Sequence, residues 1–151
     1  MNTDLMFSSK SDEWETPQGF YDDLNIEFNF TLDPCANCDN HKTPYYFSKH
    51  TNGLSQDWSG NVCFVNPPYS QIKLWVKKCY EESIKPNTKV VLLIPARTDT
   101  RYFHEYIYKP ENEIRFIKGR LKFGNSKNSA PFPSMVVIFN NKSRRIEEVK
   151  E

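Results

Sequence analysis

Glycine is scarce in this chain, five residues in 151. None of the five falls in the turn Pro34-Cys35-Ala36-Asn37, so the glycine-rich phosphate-cradling loop of many cofactor-binding α/β folds is missing. No apolar run approaches the roughly 20 residues needed to cross a bilayer. Met1-Asn2-Thr3-Asp4 lacks the basic-then-apolar opening of a signal peptide, and the expectation is a cytoplasmic protein. The four cysteines fit that compartment as free thiols. Cys35 and Cys38 form a CxxC, but Cys63 sits inside an apolar run and Cys79 in a helical stretch. His41, His50 and His104 show no paired spacing, so a zinc site is not expected. Repeats and linkers are missing too. The length points to one domain over 1–151, with a loose lead-in at 1–11 and a polar tail at 140–151. Such a chain buries a real core but is short for an enzyme with a separate recognition module.

Acid is also missing where base is plentiful. Residues 115–145 hold eight Lys or Arg and no Asp or Glu, whereas residues 1–60 hold three lysines against ten acids, a net of −7. The overall charge of +1 hides this asymmetry. The basic stretch interleaves with Phe116, Phe123 and Phe132, a mixture suited to phosphates and bases, although a solvated face has the same composition. Aromatics reach 15%, enough for a ring-rich core as well as for stacking.

The most informative stretch is Val62-Cys63-Phe64-Val65 followed by Asn66-Pro67-Pro68-Tyr69. Four apolar residues read as a buried strand, and the two prolines end it because neither has an N–H for the ladder. Residues just past such a strand lie at the carboxyl edge of an α/β sheet, where ligands bind. Asn66 supplies an amide, Pro67 a carbonyl, Pro68 rigidity and Tyr69 a ring. That set suits a planar amine such as the exocyclic amine of a nucleobase. Acceptors on its two N–H bonds, Asn66 Oδ1 and the Pro67 carbonyl, would localise the nitrogen lone pair as positive charge develops. Tyr69 would stack on the ring, a contact worth about 1–3 kcal/mol. An Asn-capped Pro-Pro turn is the purely structural alternative.

Around this stretch the pattern is that of an α/β domain. Thr16 reads as an N-cap with Pro17 at the first helical position of a helix through about Leu24. Phe28 to Leu32 reads as a strand ending at Asp33, and Tyr45-Tyr46-Phe47 as a short second strand. The 33 positions between Asp33 and Asn66 leave little room for further strands and crossover helices. The expectation is a sheet with a shortened first half. Gln71 to Ile84 has helical spacing, and Lys89 to Ile94 is a central parallel strand ended by Pro95. Arg97 either contacts substrate phosphate or pairs with Asp99, and Thr98 or Asp99 caps a helix through about Tyr108. Glu113 to Lys118 and Met135 to Phe139 are the last strands. Between them Gly119 to Ser134 is a long basic loop, read as a clamp over substrate.

The series Trp14-Glu15-Thr16-Pro17, Thr31-Leu32-Asp33-Pro34-Cys35-Ala36, Gln56-Asp57-Trp58, Asn66 to Ser70, Leu93 to Thr100, Gly119 to Phe123 and Ala130 to Ser134 resembles the small phage-type DNA adenine-N6 methyltransferases. The match runs from Asp12 to Phe139 in the family's order. It implies a Rossmann-like S-adenosylmethionine-dependent domain with Asn66, Pro67, Pro68 and Tyr69 as catalytic residues. It further implies a cofactor site from Trp14, Thr16, Pro17, Asp33, Pro34, Ala36, Asn40 and Asp57. Thr16 would meet the amino-acid end of the cofactor, Asp33 its ammonium, Asp39 or Asn40 the ribose and Asp57 the adenine amine. Asp33 and Asp57 read equally well as turn caps. Arg97, Arg120, Lys122, Phe123 and Phe132 would face DNA. An adenine inside a duplex is out of reach, so the base must be flipped or unpaired. A chain this small would then read a short or relaxed site, or dimerise. The alternatives are another planar amine (RNA adenine, cytosine N4 or a glutamine amide) or a DNA-binding module without turnover. The basic, ring-bearing segment disfavours the glutamine, and the intact Asn66-to-Tyr69 tetrad disfavours the silent module.

Overall fold

The structure is a computed structural model that describes residues 15–124 and 129–140. Trp14, the lead-in at 1–11 and the tail beyond Asn140 lie outside these residues. Its centre is a four-stranded sheet of β1 (Val62–Val65), β2 (Lys89–Pro95), β3 (Glu113–Phe116) and β4 (Ser134–Phe139) in the order β1-β2-β4-β3. β1 and β2 are parallel, and β4 runs antiparallel to both β2 and β3. The shortened first half is present as single bridges, Leu32 to Cys63 and Asp33 to Tyr46, both parallel. Backbone bonds from Phe64 N–H to Leu32 O (3.0 Å) and Phe47 N–H to Asp33 O (3.0 Å) hold these pieces on the sheet.

Period-two alternation divides the strands between two faces. Cys63, Val65, Val90, Leu92, Ile94, Met135 and Val137 pack against α2 (Ile72–Ser83) through Trp75, Val76 and Cys79, and against Phe103 and Ile107 of a five-residue π-helical segment. Phe64, Val91, Leu93, Val136 and Ile138 pack on the other face, against Tyr21 and Leu24 of α1 (Gln18–Phe28). The central strands are near-continuous apolar runs because both faces are covered.

Four local expectations are corrected. Helix α1 continues to Phe28, past Leu24, and takes the residue read as the start of the first strand. Asn29 ends it in the left-handed conformation (φ 54°), and the Asn25 carboxamide oxygen accepts the Phe30 N–H at 2.8 Å. Thr16 does not cap this helix: Pro17 holds the N-cap position and no side chain caps it. At the later helix Thr100, rather than Thr98 or Asp99, accepts the Phe103 N–H (3.3 Å). Phe123 belongs to the core, buried with Tyr21, Leu24 and Phe64 where a folded-back loop covers the sheet.

Glu82 ties the start of the sheet to α2. Its buried carboxylate accepts the Trp58 N–H (2.8 Å) and pairs with Lys78 and Lys85, each at 2.8 Å. These three bonds hold its carboxyl below the usual range against the opposing effect of desolvation. Glu82→Ala is expected to lower stability by about 2 kcal/mol by stranding the buried Trp58 N–H, with Glu82→Gln costing less. Urea denaturation with an unchanged slope checks both.

Candidate active site

The parallel strands place three terminations at one sheet edge: Asp33, Asn66 after β1, and Pro95-Ala96 after β2. Because β4 is antiparallel, its start lies there too, with Ser134 opposite Pro95 and the Ala96 N–H donating to Pro133 O at 2.9 Å. The basic loop is thereby brought to the same edge.

A cavity of about 790 Å³ opens beside the first two of these ends. Asp33, Pro34, Ala36 and Asn40 line one side, Thr16 and Glu15 another, and Asn66 and Pro68 the wall toward β1. Gly53 closes the floor. A Cβ on it would lie 2.0 Å from the Pro34 carbonyl oxygen, so no other residue fits without moving the backbone. Trp58 donates its indole N–H to Gly53 O (2.9 Å), and the Trp75 indole lines the cavity beside it. Gly53 escaped the sequence reading, where Asn52-Gly53 passes for an ordinary turn; the close approach needs a neighbour 19 residues upstream.

Asn66 is oriented from 50 residues away, its Nδ2 donating to Thr16 Oγ1 at 2.9 Å. Thr16 is buried, and its segment is tethered by the Gly124 N–H on Glu15 O (2.8 Å). That bond holds the Asn66 amide against the Thr16 segment. Pro67 is buried under the loop. The Pro68 carbonyl is committed to the Gln71 N–H (3.1 Å), and no described backbone N–H donates to the Pro67 carbonyl. Burial, then the neighbouring Tyr102, pushes the Tyr69 phenol well above its ordinary range, so this residue contributes a ring and not a base. The ring meets Phe132 edge-on at 5.3 Å.

Asp33 is a buried carboxylate on the cavity wall. Desolvation pushes its pKa up to about 6, against the Lys42 N–H (2.9 Å) and the Cys35 N–H (3.4 Å) that favour the ionised form. A cation arriving in the cavity would supply the missing counter-charge. Pro34 and Ala36 complete the turn without a glycine, and the Ala36 N–H is held by Phe47 O at 3.0 Å. Asn40 reaches the cavity while its Oδ1 accepts the Asn37 N–H (2.8 Å). Pro17 begins α1, its carbonyl accepting the Tyr21 N–H at 3.1 Å.

The remaining expected residues are placed elsewhere. Asp57 does not reach the cavity: it caps the Ser59 N–H (3.0 Å) and pairs with Lys85 (2.9 Å) at the surface, which hold its pKa down at about 2. Trp58 is core. Phe123 lies under the loop rather than on it. Arg120 and Lys122 are exposed, with Arg120 Nη1 3.4 Å from Ala130 O. Arg97 and Phe132 border a second, smaller cavity on the Tyr69 side.

A parallel-centred sheet with one antiparallel strand, a buried carboxylate over a large cavity and Asn-Pro-Pro-Tyr at the strand edge define an α/β domain of the methyltransferase class. The chain belongs to the DNA N-6-adenine-methyltransferase (Dam) family, which it matches over residues 4–149. It is 31% identical over 144 residues to the DNA N-6-adenine-methyltransferase of Haemophilus phage HP1, covering 89% of this chain and 82% of that one. The DNA N-6-adenine-methyltransferase of Escherichia phage T1 is 32% identical over 96 residues, 62% of this chain and 40% of that one.

Gly53→Ala is expected to push the Pro34 turn off the cavity wall. The melting temperature should drop, an effect that Gly19→Ala, where a Cβ meets nothing within 4 Å, does not share.

Proposed function

We propose that this chain, an adenine-specific DNA methyltransferase by its family, holds S-adenosylmethionine in the large cavity and methylates an adenine presented at Asn66. The fit rests on the donor set. A buried carboxylate on the cavity wall, ion-paired to no described side chain, suits the ammonium end of an amino acid. Asp33, Pro34, Ala36, Asn40 and Thr16 would hold the cofactor, which when bound supplies an electrophilic methyl group on a sulfonium. Trp14, outside the described residues, is proposed for the same site from the sequence alone.

The chain's own residues do the rest. Asn66 Oδ1 accepts one N6–H bond of adenine and the Pro67 carbonyl the other, which draws the nitrogen toward tetrahedral geometry. Its lone pair would then take up the methyl group, the N–C bond forming as the methyl–sulfur bond breaks to leave a neutral thioether, and the alkylated nitrogen would lose a proton to water. Neither acceptor needs to be a strong base. Tyr69 and Phe132 guide the ring from the side opposite the cofactor. Thr16 is a positioning residue whose hydroxyl accepts from Asn66 Nδ2, the arrangement that leaves Oδ1 for the amine. The observation that carries this reading is that one wall of the Asp33 cavity is Asn66, its amide held by Thr16.

Asn66→Ala should lower kcat for methyl transfer to DNA by about 10²–10³, the usual cost of one preorganised hydrogen-bonding group, with donor affinity retained. Equal turnover in wild type and variant would remove Asn66 from the mechanism. Thr16→Val should lower kcat while leaving KM for DNA unchanged, and Thr16→Ser should restore it.

Asp33 sets the pH dependence. Burial raises its pKa from 3.8 to about 6 on folding, so its contribution to stability is full below about pH 4 and lost as pH rises through about 6. The difference is about 3 kcal/mol, and Asp33→Asn should abolish it. Donor affinity runs the other way, rising between pH 5 and 7 with release of a proton. Calorimetry in buffers of different ionisation enthalpy measures both.

A further inference from the structure

The Asn66–Ser70 loop is a partition. On the far side from the cofactor cavity lies a second hollow of about 280 Å³, of the order of one nucleotide. Tyr69, Tyr102 and Phe132 give it ring walls, Pro95 marks the end of β2 behind it, and Lys73 and Arg97 bring two positive charges to its rim. We infer that this hollow takes the backbone of the target nucleotide, with Lys73 and Arg97 on the phosphodiester that joins it to its neighbour. The inference rests on the reading above and adds a site to it.

Several of the described cations are tightly bound in structural pairs. Arg115 makes a two-pronged bond to Glu27 at 2.7 and 2.8 Å and a third to Glu113 at 2.6 Å. Lys78 and Lys85 are each 2.8 Å from Glu82. Lys73, in the first turn of α2, pairs with none of the described carboxylates. Arg97 meets only Asp99, at 3.9 Å with both side chains mostly exposed, a contact too loose and too wet to hold it. Two uncommitted cations beside a ring-walled hollow are matched by an anion attached to something flat. A planar guanidinium and a point-charge ammonium suit phosphate oxygens. The hollow's Tyr69 wall follows Asn66 by three residues, so a phosphate at its rim belongs to the nucleotide whose base reaches Asn66. Such contacts set register without reading sequence.

The test uses the full chain and unmodified DNA, with target sites first located by sequencing methylated bases. Lys73→Ala and Arg97→Ala should each weaken DNA binding by a similar factor on every sequence. Each should also reduce the slope of log affinity against log salt by about 0.9 on duplex or about 0.7 on single strands. Donor affinity should be unchanged. Oligonucleotides carrying one neutral methylphosphonate, scanned across the phosphates flanking the methylated adenine, should include one position that weakens wild type but not the Lys73→Ala, Arg97→Ala double variant. Coupling at no position, or a slope change of the same size in Lys77→Ala one turn along the same helix and outside the hollow, would overturn the site. Methyl transfer by wild type with no such coupling sinks this inference alone, whereas no transfer to any DNA sinks the reading beneath it.

Discussion

A strand that cannot continue is the constraint on which this structure turns. β1 pairs along β2 up to Val65, and two prolines then deny the ladder its next N–H groups. The chain must leave the sheet at that point, stiffly, and Asn66 is left at the edge. β2 ends on a proline as well, so the two central parallel strands release their chains side by side. Everything attributed to the site depends on those exits sharing an edge with Asp33.

The Asn66-to-Ser70 loop then separates two environments. One is large, floored by Gly53 against Pro34 and walled by a carboxylate whose pKa burial raises to about 6. The other is small, ring-walled and rimmed by cations. In the proposed reading, a donor on one side and an acceptor on the other need only a single rigid element between them. The hydrogen bond from Asn66 Nδ2 to Thr16 Oγ1 holds the amide at that element.

Reading the residues in order located the strand stops, the apolar strands, the period of α2 and the abbreviated first half of the sheet. These are local matters: proline chemistry, alternation and spacing operate within a few residues. The placement of Asn66 and Asp33 at strand ends on one sheet edge was legible for the same reason. What went astray involved distant partners. Thr16 has the chemistry of a helix cap, yet its hydroxyl meets an amide 50 residues on. Phe123 looks like a loop ring for bases, yet the loop folds back and the ring fills the core beside Tyr21 and Phe64. Asp57 belongs to a turn that points at Lys85 rather than into the cavity.

The sequence by itself determined where strands begin and end and which side chains sit at their ends, because hydrogen-bonding capacity and apolar period are properties of neighbouring residues. Only the tertiary structure decided that Gly53 must lack a side chain, that Thr16 orients Asn66, and that Lys73 and Arg97 stand at one hollow. Each of those facts is a distance between segments far apart in the chain, and such distances are set by how the sheet faces are packed.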